Sequence, residues 1–566
     1  MRRGTKKLRI VAAALSVVLM TGLAGCGGSK SAPATSPASS ETAQGAGGEE
    51  TGEKKSSEGE KMVVMAISNA WSGLNPYNAS GNATDIIADQ IFDRLWVTNK
   101  AGVVTPRLAE SYEVAEDHTF LTVHLNKNAK FHDGEPVTAD DVIFSAKLDT
   151  NPDFTSTIRD RMNYVAGTTS GGAAEDPSKL GFEKVDDSTV KIIFKEPMNE
   201  LPILTMLNCY FYILPEHVFG QFTVDELNQA DVWKNNLIGS GPFMLDSVIE
   251  GERIEMVANR DYFLGEPDFD RLIIRVVEGS QLLSGLMSGE IDLIAGGGLS
   301  SLPLSDWGAA KEDPNIETVS VSNFAYQAMV LNMNSEKIGN PAIRQGISTA
   351  INRQGIVDNL LEGEGEVIYA PFSDEHPFVD ESKLTLPKYD PEKARQLLEE
   401  GGYDFDQVLD LIVPVGNEVR IQSTVLIQQD LEAVGVKTRI TQYDFPTLMD
   451  KMKSGDYDLG MCGSGGGIEP TEPSSWINNK GTLNFPGLPD DRLMALYDEA
   501  KAVLDLDEQK AAYNRVWQKY MDEAVVAYLY SANHLLGYNK NKLANLDTDK
   551  FPQLNWAAWE WDYIEQ

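Results

Sequence analysis

The sequence predicts an α/β protein. Strand-like alternation and helical periodicity interleave from about residue 61 to the C-terminus, and several helices carry complete start and stop signals. The chain has 566 residues, 42% of them hydrophobic. That is enough for about three domains of ordinary size.

In chain order, Phe120–Leu125 alternates, with Leu121, Val123 and Leu125 on one face, as in a half-buried strand. Phe131-His132-Asp133-Gly134 reads as a turn whose glycine can take positive φ. Thr138 is a helix N-cap, Asp141 completes a capping-box variant, and Val137 and Val142 sit where a hydrophobic staple would close. Residues 185–195 (VDDSTVKIIFK) read as one strand run and 273–277 as another, before a helix from 281 to 287 that stops at Gly289. Pro391–Glu400 is a helix capped by Asp390, begun by proline and ended by Gly401-Gly402. Residues 421–434 form a further helix with Val425, Ile427, Leu431 and Val434 near one face. A strand at 437–442 and amphipathic helices at 491–506 and 507–523 follow, with no internal repeat.

The N-terminus reads as an export signal. Arg2, Arg3, Lys6, Lys7 and Arg9 precede an apolar run from Ile10 to Met20, about half the roughly 20 residues a spanning helix needs. Leu23-Ala24-Gly25-Cys26 resembles the lipobox of bacterial lipoproteins, which implies a signal peptide at 1–25 and a diacylated Cys26 as the first mature residue. Two acyl chains anchor stably where one is marginal. Residues 27–60 hold Gly, Ser, Ala, Glu and Lys with hardly a large apolar side chain, so they read as a flexible tether.

The formal net charge is −37, from 48 basic and 85 acidic residues, which makes nucleic acid a poor partner. Besides Cys26 there are only Cys209 and Cys462, so no disulfide framework carries the stability, and the two read as buried free thiols.

The string FHDGEPVTADDVIFSA at 131–146 resembles the signature segment of bacterial extracellular solute-binding proteins of family 5, which serve peptide and nickel ABC importers. Further likenesses follow in order. Ser72-Gly73-Leu74-Asn75-Pro76 is similar to an SxLDP opening, and Gly239-Ser240-Gly241-Pro242-Phe243 to GTGPY/F. Asn259-Arg260-Asp261-Tyr262 with Gly265, Gly289-Glu290-Ile291-Asp292-Leu293, and the helical region 341–359 with Gly363 match later elements. The resemblance covers about residues 62–566. It implies a two-lobed periplasmic-binding-protein fold of class II type, with three subdomains and a two-strand hinge. Residues 61–86, 234–320 and 536–566 would form the core of lobe I, 87–233 its inserted subdomain, and 323–533 lobe II. The chain would cross near Ser320–Asn323 and near Tyr530–His534.

What the resemblance implies functionally is the membrane-anchored, extracytoplasmic substrate-binding component of an ABC importer. It would be a monomer without cofactor, metal or catalysis, capturing peptides by lobe closure and delivering them to permease subunits. In peptide-binding relatives an aspartate in a GWxADYxxPxxF loop holds the ligand's ammonium; here GGGIEPTEPSSW (465–476) places Glu469 at that position, with Glu472 as a rival. Gly466 and Gly467 let a ligand approach the backbone, and Trp476 ends the loop. Trp71, Tyr326, Gln327 and Tyr530 are the other ligand-binding candidates, drawn from segments beside the lobe junction. Asn533 attends the second crossing. An oligosaccharide, a nickel complex or another small amine solute remain alternatives within this fold. The six histidines are scattered, no HxxxH, CxxC or GxSxG appears, and neither glycine triplet is followed by Lys-Ser/Thr; a secreted hydrolase is the alternative of a different class.

Overall fold

The computed structural model describes residues 59–78, 82–99, 102–208, 211–235, 237–296, 300–322, 324–373, 375–464, 470, 492–547 and 554–565. The signal reading, the tether reading up to residue 58, Cys26 and Cys209 therefore lie outside the described residues, whereas Glu60, at the tether's end, pairs with Arg271 at 3.3 Å. Residues 57–566 form one compact unit.

Two large mixed sheets carry this unit. In the seven-stranded sheet, Met62–Ile67 runs parallel to Arg271–Val276 on one side and to Leu293–Ile294 on the other. Arg253–Ala258 and Phe243–Ile249 extend it antiparallel at one flank, and His534–Asn539 and Ile316–Val321 at the other. The six-stranded sheet is built around Tyr326–Leu331, which pairs antiparallel with Val526–Ala532 and with Leu459–Ser464. Gly365–Val367 forms one edge; Val408–Pro414 and Lys437–Tyr443 continue in parallel to the other. Side chains alternate across this sheet as a pleated strand requires: Tyr326, Ala328 and Val330 enter one apolar core, while Met329 and Leu331 enter the core on the opposite face.

The chain passes between the sheets twice, once between Val321 and Tyr326 and once at Asn533. The strands on the two sides of these crossings pair with each other within their own sheet, Ile316–Val321 with His534–Asn539 and Tyr326–Leu331 with Val526–Ala532. This is the two-lobed α/β fold with a two-strand hinge.

A four-stranded sheet, ordered Ala109–Val114, Phe120–Leu125, Thr189–Ile193 and Phe182–Asp186, shares the apolar core of the seven-stranded sheet. Leu121, Val123 and Leu125 are buried, as alternation predicts. Gly134 has φ +93°. Asp141 Oδ2 accepts from the backbone N–H of Thr138 at 2.8 Å, while its Oδ1 accepts from the Glu216 N–H at 2.9 Å. The cap residue thus also ties the helix to a segment about 75 residues away.

Two local readings are corrected. Residues 185–195 are not one strand but the end of Phe182–Asp186, a turn and Thr189–Ile193, paired antiparallel. Asp186 Oδ1 accepts the Ser188 N–H at 2.8 Å, so the DDS tripeptide makes a side-chain-closed turn that alternation does not register. The helix at 421–434 begins earlier, at Glu418 after the N-cap Asn417, and Val425 is 40% exposed. It lies about 200° round the helix from Ile427, which is buried with Ser423, Thr424 and Leu431. Cys462 is a buried free thiol whose pKa burial pushes up to about 12. Among the described residues no helix is long and apolar enough to cross a membrane.

Candidate solute-binding site

The carboxyl ends of Val408–Pro414 and Leu459–Ser464 reach the same edge of the second lobe, since Ser464 pairs with Tyr326, the first residue after the hinge. In open α/β sheets this edge is where ligands bind. Asn417 then starts the helix Glu418–Ala433, its side chain accepting from the Arg420 N–H. The Arg420 side chain turns back over the sheet, and its Nε donates to Gln327 Oε1 at 2.6 Å. Its Nη1 and Nη2 carry no partner among the described residues. Burial holds this guanidinium below its usual pKa, only partly offset by Cys462 and Tyr530. An incompletely paired, half-buried cation in so acidic a chain is unusual, because desolvation without a counter-charge is costly.

Tyr530 joins this cluster through a β-bulge. Gln327 faces Tyr530 whereas the next residue, Ala328, faces Tyr528, so Leu529 is the extra residue and Tyr530 turns onto the face of the Glu418–Ala433 helix. Its hydroxyl donates to Ser423 Oγ at 3.3 Å. Gly463 is required here by close approach: a Cβ would stand 2.5 Å from the Tyr326 carbonyl oxygen, with Gln327 Nε2 at 2.9 Å and Arg420 Nη2 at 3.0 Å beyond it. Ser464 leads straight into residues 465–469.

The predicted site residues are therefore distributed unequally. Gln327 and Tyr530 are brought together, and Arg420, which the sequence reading missed, completes them. Tyr326 is 1% exposed and packs edge-on against Tyr528 in the second lobe's core, so in this conformation it offers no surface to a solute. Tyr530 is equally buried, and only through its hydroxyl does it bear on the cluster. Trp71 is 7% exposed in the first lobe's core, with its indole N–H unpaired. Gly466, Gly467, Glu469, Glu472 and Trp476 lie outside the described residues. Nothing in the local pattern of NEVR marks Arg420; its partner is 93 residues away.

The hinge is braced from both sides. Glu364, preceding Gly365–Val367 in the second lobe, accepts from Trp307 Nε1 at 2.5 Å and from Ser320 Oγ at 2.6 Å, with Lys311 Nζ at 3.5 Å. Trp307 and Lys311 belong to the helix Leu304–Glu312 of the first lobe. These partners hold the Glu364 carboxylate below its usual pKa against the opposing effect of burial. Asn533, at the second crossing, donates from its backbone to Glu364 O at 3.1 Å and from Nδ2 to Ser320 Oγ at 2.9 Å.

The FHDG turn also has a structural task. His132 Nδ1 accepts the Gly239 N–H at 3.2 Å and Nε2 faces Gly241 O at 3.1 Å, while the His132 N–H donates to Gly239 O at 2.8 Å. One neutral tautomer satisfies all three, and burial lowers the imidazole pKa to about 4.

The two-lobed sheet architecture with two crossing strands is the fold of extracytoplasmic solute-binding proteins, and a family match assigns the chain to that class. The family model "Bacterial extracellular solute-binding proteins, family 5 Middle" matches residues 103–484, and the chain belongs to that family. It is similar to the oligopeptide-binding protein AppA of Bacillus subtilis, 24% identical over 95% of each chain. It also resembles the heme-binding protein A of Haemophilus influenzae, 26% identical over 80% of this chain and 84% of that one. Among solved structures, the substrate-binding protein CtaP of Listeria monocytogenes superposes with a TM-score of 0.78 at 22% identity, covering 89% of this chain and all of that one.

Proposed function

We propose that this protein captures peptides outside the cytoplasmic membrane and hands them to an ABC importer, held to the membrane by lipid on Cys26. The lobes would comprise residues 61–86, 234–320 and 536–566 with the insertion 87–233, facing 323–533, and would close about the two crossing strands. The observation that carries the peptide reading is Arg420. A half-buried guanidinium whose Nη groups have no partner among the described residues suits a carboxylate, which it can grip bidentately. Ser464 lies at the strand end beside it and leads into the segment bearing Glu469, whose carboxylate suits an ammonium. A short zwitterionic peptide presents both groups; a neutral sugar presents neither. The likeness to AppA, an oligopeptide-binding protein by name, supports the same choice.

Calorimetric titration with short peptides, each as free acid and as C-terminal amide, tests this. Peptides should bind, and Arg420→Gln should weaken the free acids about 10- to 100-fold, the range for losing a charged hydrogen bond of roughly 1.5–3 kcal/mol. Failure of every peptide to bind, with a sugar or metal chelate released from the purified protein on denaturation, would overturn the reading.

A further inference from the structure

A cavity of about 870 Å³ lies away from the hinge cluster, between the inserted subdomain and the second lobe. It shares no lining residue with Gln327, Arg420 or Tyr530. Trp96, Tyr112 and Leu201 form its wall on one side, and Leu504 on the other. Leu201 packs into the second lobe's apolar core, and Asn199 Nδ2 donates to Leu504 O at 3.0 Å beside it, so both lobes build the chamber. Among the described residues that line it are three carboxylates, Glu110, Glu200 and Asp505, and no lysine or arginine. His118 lines it too, with Nδ1 buried and unpaired. Burial and, second to it, the charge of Glu200 push the Tyr112 hydroxyl pKa up.

We propose that this chamber is a second binding site, for an amphipathic cation: a primary amine on an apolar body, such as an arylalkylamine or a lysine side chain. The apolar body would lie against Leu504 and the exposed Leu506, with the ammonium near the ring of Tyr112 and the half-buried Glu200. Rings and carboxylates together select a cation over a neutral molecule of the same shape. The volume is that of small-molecule sites in general. Because its walls come from both lobes, an occupant favours the arrangement in which Asn199 meets Leu504, and so couples this site to closure of the other. None of this depends on what the hinge-side cleft binds.

The test uses phenethylamine and its neutral counterpart 2-phenylethanol, titrated calorimetrically into the full folded chain. The amine should bind at least tenfold more tightly than the alcohol, and Glu200→Gln should remove that preference. Arg420→Gln, which alters only the hinge cluster, should leave it unchanged. A second variant, Leu201→Trp, fills the chamber and should abolish amine binding while the thermal midpoint shows the protein folded. Equal binding of amine and alcohol would overturn the proposal. So would amine binding that survives both Glu200→Gln and Leu201→Trp, because the amine would then occupy another cleft.

Discussion

His132 offers a direct measurement of how the FHDG turn is fastened to the segment from Gly239 to Gly241. Its imidazole is neutral because Nδ1 must accept from Gly239 and Nε2 must donate to Gly241 O. Its pKa falls from the ordinary 6.5 to about 4, through burial first of all. An unfolded chain therefore takes up a proton on this histidine at a pH where the folded one does not. Its contribution to stability is complete above about pH 6.5 and is lost as pH falls from there towards 4. At 1.36 kcal/mol per pH unit the full gap is worth roughly 3 kcal/mol. The residue keeps some contact with solvent, so a loss of about 2 kcal/mol is expected. Asp93 and Asp149 work in the opposite sense: burial raises both to about 6, so the stability they contribute in acid is lost as pH rises from 3.8 towards 6. Only a difference between variants isolates the histidine. His132→Gln keeps a donor for Gly241 O but leaves the Gly239 N–H without its acceptor, at a cost of about 1–3 kcal/mol near pH 7.5. In guanidinium denaturation series from pH 7.5 to 4.5, that deficit should shrink by about 2 kcal/mol as the wild type loses its own contribution. Parallel curves, or an imidazole titrating near 6.5 by NMR, would refute the bridging role.

Two further predictions concern the hinge and the second core. Glu364→Ala removes the acceptor shared by Trp307 and Ser320, which join the two lobes beside the crossing strands. The solute-free protein should then show a larger radius of gyration by small-angle scattering and a stability loss of about 1–3 kcal/mol; an unchanged scattering profile would mean the brace does not set the lobe angle. Arg353 is fully buried, donates to Tyr528 O at 2.6 Å and Ser348 O at 2.9 Å, and has its pKa lowered to about 10 by burial. Arg353→Met strands those carbonyls, and a cost of about 1–3 kcal/mol should appear as a lower thermal midpoint; a neutral substitution would mean that water or rotated carbonyls replace the guanidinium.

Local physics accounts for what was legible beforehand. The alternation of Phe120–Leu125, the Thr138–Asp141 cap, Gly289 at φ +74° and the Asp390-Pro391 helix start each depend on residues within a turn or two of one another. The errors have equally local causes: the Asp186–Ser188 bond interrupts an otherwise strand-like run, and Val425 is apolar but points outward.

By itself, then, the sequence determined the alternating elements, their caps, the acidic balance and the family, because side-chain period and backbone capping are short-range properties. Tertiary structure decided which of those elements meet. Arg420 rests on Gln327 only because a parallel strand and the helix after it return to the strand that leaves the hinge. Tyr530 faces them only because a bulge adds a residue to its strand. The FHDG turn, so conspicuous as a string, becomes intelligible when His132 is seen between Gly239 and Gly241, more than a hundred residues on. Such contacts are set by how the sheets and helices pack, and hydrophobic periodicity along the chain carries no record of them.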